Sequence, residues 1–214
     1  MARPTLTSAQ RTEQDRRHHR QLLEGMARCV SHNGYGATTI ADVVREARVS
    51  KSTFYAHFAD KEACYVALYS AAVDNVLDAM RAADAAAAAD GLPWRAHLDA
   101  VNGAYLESLA AGGELTRSLL IEIQTAGSAA LAMRRDVLDR YVVLMGDVAS
   151  RLREGDARLR TLTPGLVLGA VGGINEIVMR AIETGPVTGV AGLAGVTGDL
   201  WAALLTAPAP ALAP

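Results

Sequence analysis

Between residues 34 and 62 the chain reads GYGATTIADVVREARVSKSTFYAHFADKE, a run of start signals and apolar spacings that dictates short, closely spaced helices. Ile40, Val43, Val44 and Ala47 recur at three- and four-residue steps, the spacing of one buried helix face. Thr38–Thr39 precede them, and Asp42 stands where the acid of a capping box belongs. Ser50 marks the next start, opening a helix of about two turns to His57. Asp60 marks a fourth.

The same signals organise the rest of the chain. From about Arg11 to Asn33, Leu22, Leu23, Met26, Ala27 and Val30 form an apolar stripe, and Asn33–Gly34 is a stop that a left-handed glycine can close. The helix opened by Asp60 runs through Tyr65, Leu68, Tyr69, Val73, Val76, Leu77 and Met80, then is expected to dissolve in AADAAAAADGLP. Five further helices are predicted at about 94–110, 114–125, 128–153, 163–184 and 189–206. Breaks fall at Gly112–Gly113, Gly127, REGDARLRT and Gly185–Pro186. With 50% apolar and only 5% aromatic residues, the chain reads as all-α, helix packed on helix, with about nine helices. The expected division is a flexible arm over 1–10, a helix-turn-helix unit over 11–60, a larger helical unit over 61–207 and a disordered Pro-Ala tail over 208–214.

Several function classes are disfavoured. No apolar run free of charge and glycine reaches the roughly 18 residues of a membrane span, and the N-terminal basic residues lack the apolar stretch of a secretory signal. Cytoplasmic residence and no membrane partner are therefore expected. Cys29 and Cys64 lie in apolar helical settings without metal-ligand spacing and are expected to be buried and inert. The adjacent His18 and His19 point about 100° apart on a helix and cannot share one ion, so they are expected to be solvated. Neither metal nor cofactor is expected. Beyond residue 62 the only histidine is His97 and the only cysteine Cys64, which leaves no nucleophile–base pair for catalysis.

The segment 34–62 carries the chemistry of a nucleic-acid contact. The only two lysines of the chain, Lys51 and Lys61, stand at successive helix starts, where free backbone N–H groups also favour an anion. Phe54 and Phe58 lie four apart and can anchor their helix, leaving Lys51, Ser52, Thr53, Tyr55 and His57 outward. Lys51, Tyr55, Lys61 and a hydroxyl of Thr38 or Thr39 suit phosphates, while Ser52, Thr53 and His57 suit base edges. Charge agrees: residues 1–62 hold ten Lys and Arg against seven Asp and Glu, and the remainder eleven against sixteen. A mildly basic head on an acidic body fits a DNA-contacting unit joined to one of another role.

G-x-G-x-T-T-I-x-D-V followed by A-R-V-S-K-S-T-F-Y-x-H-F-x-D-K-E resembles the DNA-binding domain of TetR-family transcriptional regulators, over about residues 12–65. The resemblance implies an all-α homodimer whose second domain binds a small effector and releases double-stranded operator DNA. One departure is plain: Arg48 occupies the turn position where the family usually has Gly. A non-glycine residue in left-handed geometry costs roughly 1–2 kcal/mol, so either strain or another turn shape is expected.

In the second half, TPGLVLGAVGGINEIVMRAIETG is apolar on nearly every face, and Val190, Leu193, Val196, Leu200 and Leu204 form a stripe after it. A helix apolar all round must be covered all round, and pairing across a two-fold axis through about 163–206 would cover it. Polar or adaptable residues breaking the apolar faces are the pocket candidates: Tyr105, Glu122, Gln124, Tyr141, Met145, Asn175 and Met179. They suit a largely apolar molecule with one or two polar groups. Two alternatives stay open: a regulator whose second half only pairs subunits or binds protein, and a helical-bundle enzyme.

Overall fold

The computed structural model describes residues 7–208. Over that span nine α-helices follow one another without a strand: α1 Ser8–Ala37, α2 Ile40–Ala47, α3 Lys51–His57, α4 Lys61–Ala89, α5 Trp94–Ala111, α6 Glu114–Ile121, α7 Ser128–Gly155, α8 Pro164–Thr184 and α9 Ala194–Thr206. Short 3₁₀ turns, Glu122–Gln124 and Val187–Leu193, follow α6 and precede α9.

The start signals act as their chemistry demands. Thr39 accepts the Asp42 N–H while Asp42 accepts the Thr39 N–H, so both members of the capping box are in place. Ser50 accepts from Thr53 N at 3.0 Å, and Asp60 from Ala63 N at 2.8 Å. Three boundaries differ from the sequence expectation. α1 begins at Ser8, not Arg11, because Thr7 and Gln10 form a further capping box; residues 1–6 of the expected arm lie outside the described residues. α4 continues to Ala89 through the alanine run, as the strongest helix former should. The last predicted helix is a 3₁₀ stretch up to Leu193 and α-helical only from Ala194, consistent with the low helix propensity of Gly189 and Gly192. Of the expected tail, residues 209–214 lie outside the described residues.

Leu22, Met26 and Val30 of α1 close on Val43 and Ala47 of α2 and on Phe54 of α3, all buried. Each such side chain removed from water contributes on the order of 1.5–3 kcal/mol. Cys29 and Cys64 are free and buried in this core, as expected. In the larger half α4 packs along α5 and α7, and polar clamps fix the arrangement. Asp84 of α4 takes His97 of α5 at 2.8 Å and pairs with Arg151 of α7. Asn102 of α5 donates to Thr197 of α9 at 2.9 Å, and Arg117 of α6 caps the carbonyl end of α8 through Ile182 O and Gly185 O.

α8, and the segment Val187–Thr206 that ends in α9, are long and apolar enough to cross a membrane by length and composition alone, yet only about a third or less of either is buried within the subunit. Leu168 and Val196 are 46% and 52% exposed.

The α2–α3 turn settles the question posed by Arg48. It adopts φ 55°, ψ 41°, squarely left-handed, with the Val49 N–H reaching back to Val44 O at 3.1 Å. The turn keeps the geometry a glycine would give and carries the strain of a side chain there. Arg48→Gly should raise the thermal midpoint, stabilising the chain by about 1 kcal/mol once the added freedom of the unfolded glycine is subtracted. Differential scanning fluorimetry checks it; an unchanged or lower midpoint would show that Arg48 gains compensating contacts.

Candidate nucleic-acid interface and internal cavity

α3 is anchored by Phe54, fully buried, and Phe58 just beyond its end, with ring centroids 5.8 Å apart. Helical spacing then turns Ser52, Tyr55 and Ala56 to the opposite side, and all three are exposed together with Lys51 in the first turn. Tyr55 is 53% exposed, its ring edge against Phe54, so its phenol reaches outward from a fixed base. The Ser50 hydroxyl lies 2.7 Å from that of Ser52 and 2.8 Å from that of Thr53. This chain of hydroxyls holds the N-terminus of α3 in one arrangement. Thr39 is exposed at the start of α2, its hydroxyl 2.6 Å from Asp42.

Three expected contacts are not on this surface. Thr38 is buried and donates to Gly34 O at 2.7 Å, so the phosphate role open to Thr38 or Thr39 can fall only to Thr39. His57 turns back to α1, its ring 5.8 Å from His19 and 6.3 Å from His18, instead of facing outward to bases. Burial, then the neighbouring His19, hold its pKa below the usual histidine value, so it stays neutral at neutral pH. The pair His18–His19 thus packs on α3 and is not wholly solvated. Lys61 is half-buried and donates to Tyr35 O at 2.8 Å and Thr38 O at 2.9 Å, with its ammonium 4.1 Å from the Tyr35 ring centre. It closes the carbonyl end of α1 instead of facing outward to a phosphate.

Lys61 belongs to a junction between α1 and the later helices that the sequence did not reveal. At Gly34 (φ 74°, ψ 164°) α1 kinks, which leaves the Tyr35 N–H outside the helical ladder. The Glu122 carboxylate accepts that N–H. A side chain at residue 34 would crowd Glu122, so glycine serves both the kink and the approach. A second carboxylate repeats the device: Glu62 accepts from Ala129 N at 2.9 Å and Ala130 N at 3.2 Å at the start of α7, against Gly127 (φ 139°). Beside them the Tyr35 and Tyr65 rings stack at 4.4 Å, and Tyr65 donates to Ser118 O of α6 at 2.9 Å.

Behind this junction α4 to α9 line a partly open cavity of about 270 Å³. Of the pocket candidates, Tyr105, Tyr141, Met145 and Asn175 line it. Glu122, Gln124 and Met179 do not. Glu122 is spent on α1, and Gln124 is exposed with its amide 3.5 Å from the Met179 sulfur. Leu119, Leu120 and Ile123 also line the cavity, so the segment that carries Glu122 is itself part of the wall. Sequence reading missed Tyr69 and Arg134 on this wall; Arg134 shares one helix face with Val137, Leu138 and Tyr141, an arginine inside an apolar stripe.

Residues 22–68 match the sequence profile described as bacterial regulatory proteins, tetR family. Over these residues the chain carries the N-terminal domain of the tetR family. TetR-family regulators are DNA-binding proteins, and the matched residues are those that build α1–α3 and the start of α4. No curated protein matches the chain. Among solved structures, the fatty acid degradation regulator FadR from Bacillus halodurans is similar at 16% identity and TM-score 0.72, over 86% of this chain and 93% of that one. FadR from Bacillus subtilis in complex with stearoyl-CoA gives 14% identity and 0.72, over 87% and 99%. AibR in complex with isovaleryl coenzyme A and operator DNA gives 18% and 0.59, over 90% and 100%. At these identities the likeness establishes the shared TetR fold along most of the chain.

The placement of Lys61 has a measurable consequence. Lys61→Met should lower unfolding stability by about 1.5–3 kcal/mol, the worth of charge-assisted bonds to two carbonyls. Urea denaturation reads this directly. A variant as stable as the parent but weakened only in DNA binding would restore Lys61 to the phosphate-contacting surface.

Proposed function

We propose that the chain is a ligand-responsive homodimeric repressor that leaves a palindromic operator when a small, largely apolar effector fills the cavity. One observation carries the proposal: the segment forming a wall of the cavity also holds, through Glu122, the kinked end of the helix on which α2 and α3 are packed. Any ligand that displaces Leu119, Leu120 or Ile123 shifts Glu122 with them and so works on the seat of α3. Release follows if the effector favours the displaced arrangement over the DNA-bound one.

Within this scheme α3 enters the major groove, with Ser52 and Thr53 toward base edges and Lys51, Tyr55 and Thr39 on phosphates. The second subunit is supplied by α8 and α9, whose exposed apolar faces at Leu168 and Val196 would be covered by their counterparts across a two-fold axis. Two half-sites then give the specificity that one short helix lacks. FadR with stearoyl-CoA and AibR with isovaleryl coenzyme A are relatives in fold that bind acyl compounds, which supports an apolar acyl-like effector here. The role is regulatory and not catalytic, and its place of action is the cytoplasm.

Footprinting on operator DNA, combined with light scattering, tests the whole scheme. Protection of a two-fold symmetric site is expected, with Lys51→Ala lowering the salt slope by about one and Tyr55→Phe weakening binding roughly fivefold. Leu168→Asp should yield monomers that no longer protect the site. Full affinity in both DNA-face variants, or a dimer unaffected by Leu168→Asp, would refute the corresponding surface.

A further inference from the structure

The cavity carries more polarity than apolar walls require. Tyr69 of α4, Tyr105 of α5 and Tyr141 of α7 all line it, and the Tyr105 and Tyr141 rings meet edge to face at 5.5 Å. Buried phenols usually find a hydrogen-bond partner, as Tyr65 does at Ser118. Among the described residues none of the three cavity hydroxyls has one. Nor are they sealed into the packing, because among the described residues the only fully buried side-chain polar atom without a partner is Gln21 Oε1, on α1 and away from the cavity. Their oxygens therefore face the open space.

Among the described residues Arg134 of α7 is the only charged side chain lining that space. Two other arginines of the same helix meet acids, Arg140 at Asp74 and Arg151 at Asp84. Among the described residues Arg134 has neither an ion pair nor a hydrogen bond. It stands close enough to Tyr69 to oppose the rise that burial imposes on that phenol, whose pKa is pushed up to about 12. A guanidinium and three phenolic O–H groups, on a wall otherwise dominated by aliphatic side chains, offer donors and one positive charge without an anion.

We infer that the cavity is shaped for a small apolar carboxylic acid held as its anion, with Arg134 as counter-ion and the Tyr69, Tyr105 and Tyr141 hydroxyls as further donors. The inference deepens, and rests on, the effector role proposed for the same cavity. A carboxylate matches the planar guanidinium fork of the half-buried Arg134. An alcohol or ketone would engage the phenols and leave Arg134 alone. Size points the same way: a volume of about 270 Å³ holds on the order of ten non-hydrogen atoms, at ~30 Å³ for each water-sized unit. That accommodates octanoate, while the nucleotide portion of a coenzyme A thioester would have to lie outside.

Isothermal titration of the full chain with octanoate, 1-octanol and octanoyl-CoA tests this, with the melting midpoint of each variant recorded first. Octanoate should bind at least tenfold more tightly than 1-octanol, Arg134→Met should abolish that preference while sparing 1-octanol, and Tyr141→Phe should weaken octanoate about fivefold. If Arg134→Met does not fold, Arg134→Lys replaces it, with octanoate weakened and 1-octanol unchanged. Equal binding of acid and alcohol, unaltered octanoate affinity in the Arg134 variant, or binding of none of the three compounds would overturn the inference. Operator release separates the two levels. Octanoate that binds yet leaves the operator occupied upholds the ligand class and refutes the effector role. Release by 1-octanol or octanoyl-CoA without octanoate binding does the reverse.

Discussion

The hydrogen bond from the Tyr35 N–H to the Glu122 carboxylate is the constraint on which the molecule turns. It joins residues 87 positions apart and exists because Gly34 breaks α1 and frees one donor from the helical ladder. Around it, charges are matched to helix ends. Lys61 meets the carbonyls that close α1, and Glu62 meets the free N–H groups that open α7. Each contact is polar, local and directional, unlike the apolar packing on either side. Small displacements can be transmitted through such a joint, because a hydrogen bond weakens within a fraction of an ångström whereas an apolar face tolerates sliding.

The two halves differ in how their surfaces are used. α1–α3 bury a small apolar core and leave Lys51, Ser52 and Tyr55 exposed on α3. The later helices bury a larger core yet leave Leu168 of α8 and Val196 of α9 exposed and line a partly open cavity.

Much of this was legible in the residues, and the pattern of success is physical. Thr39, Ser50 and Asp60 were readable as caps because a cap is a local event within three residues, and the apolar stripes of α1 and α2 were readable because they follow one helical period. Thr38 and Thr39 show where such reading ends. They are identical in type and adjacent, yet one hydroxyl is buried on Gly34 O and the other exposed beside Asp42, a difference set by the kink between them and α1. His57 and Lys61 lie elsewhere than expected for the same reason: their partners, His18, His19, Tyr35 and Thr38, are brought close only by the fold. Tyr105, Tyr141, Met145 and Asn175, singled out because they interrupt apolar faces, line the cavity. Glu122 met the same criterion and serves a different end, since sequence alone does not show which side of the 3₁₀ turn after α6 faces α1.

Glu122→Gln gives the most direct trial of the account. The amide keeps the volume and can still accept through its oxygen, but it removes the charge that makes the bond to Tyr35 strong. Operator affinity and effector-induced release should be measured side by side by fluorescence anisotropy, using whichever carboxylate or acyl compound releases the parent protein. The account predicts a variant that binds the effector with parental affinity while the ratio of operator affinities with and without effector shrinks severalfold. An unchanged ratio would show that the joint between α1 and Glu122 does not carry the signal.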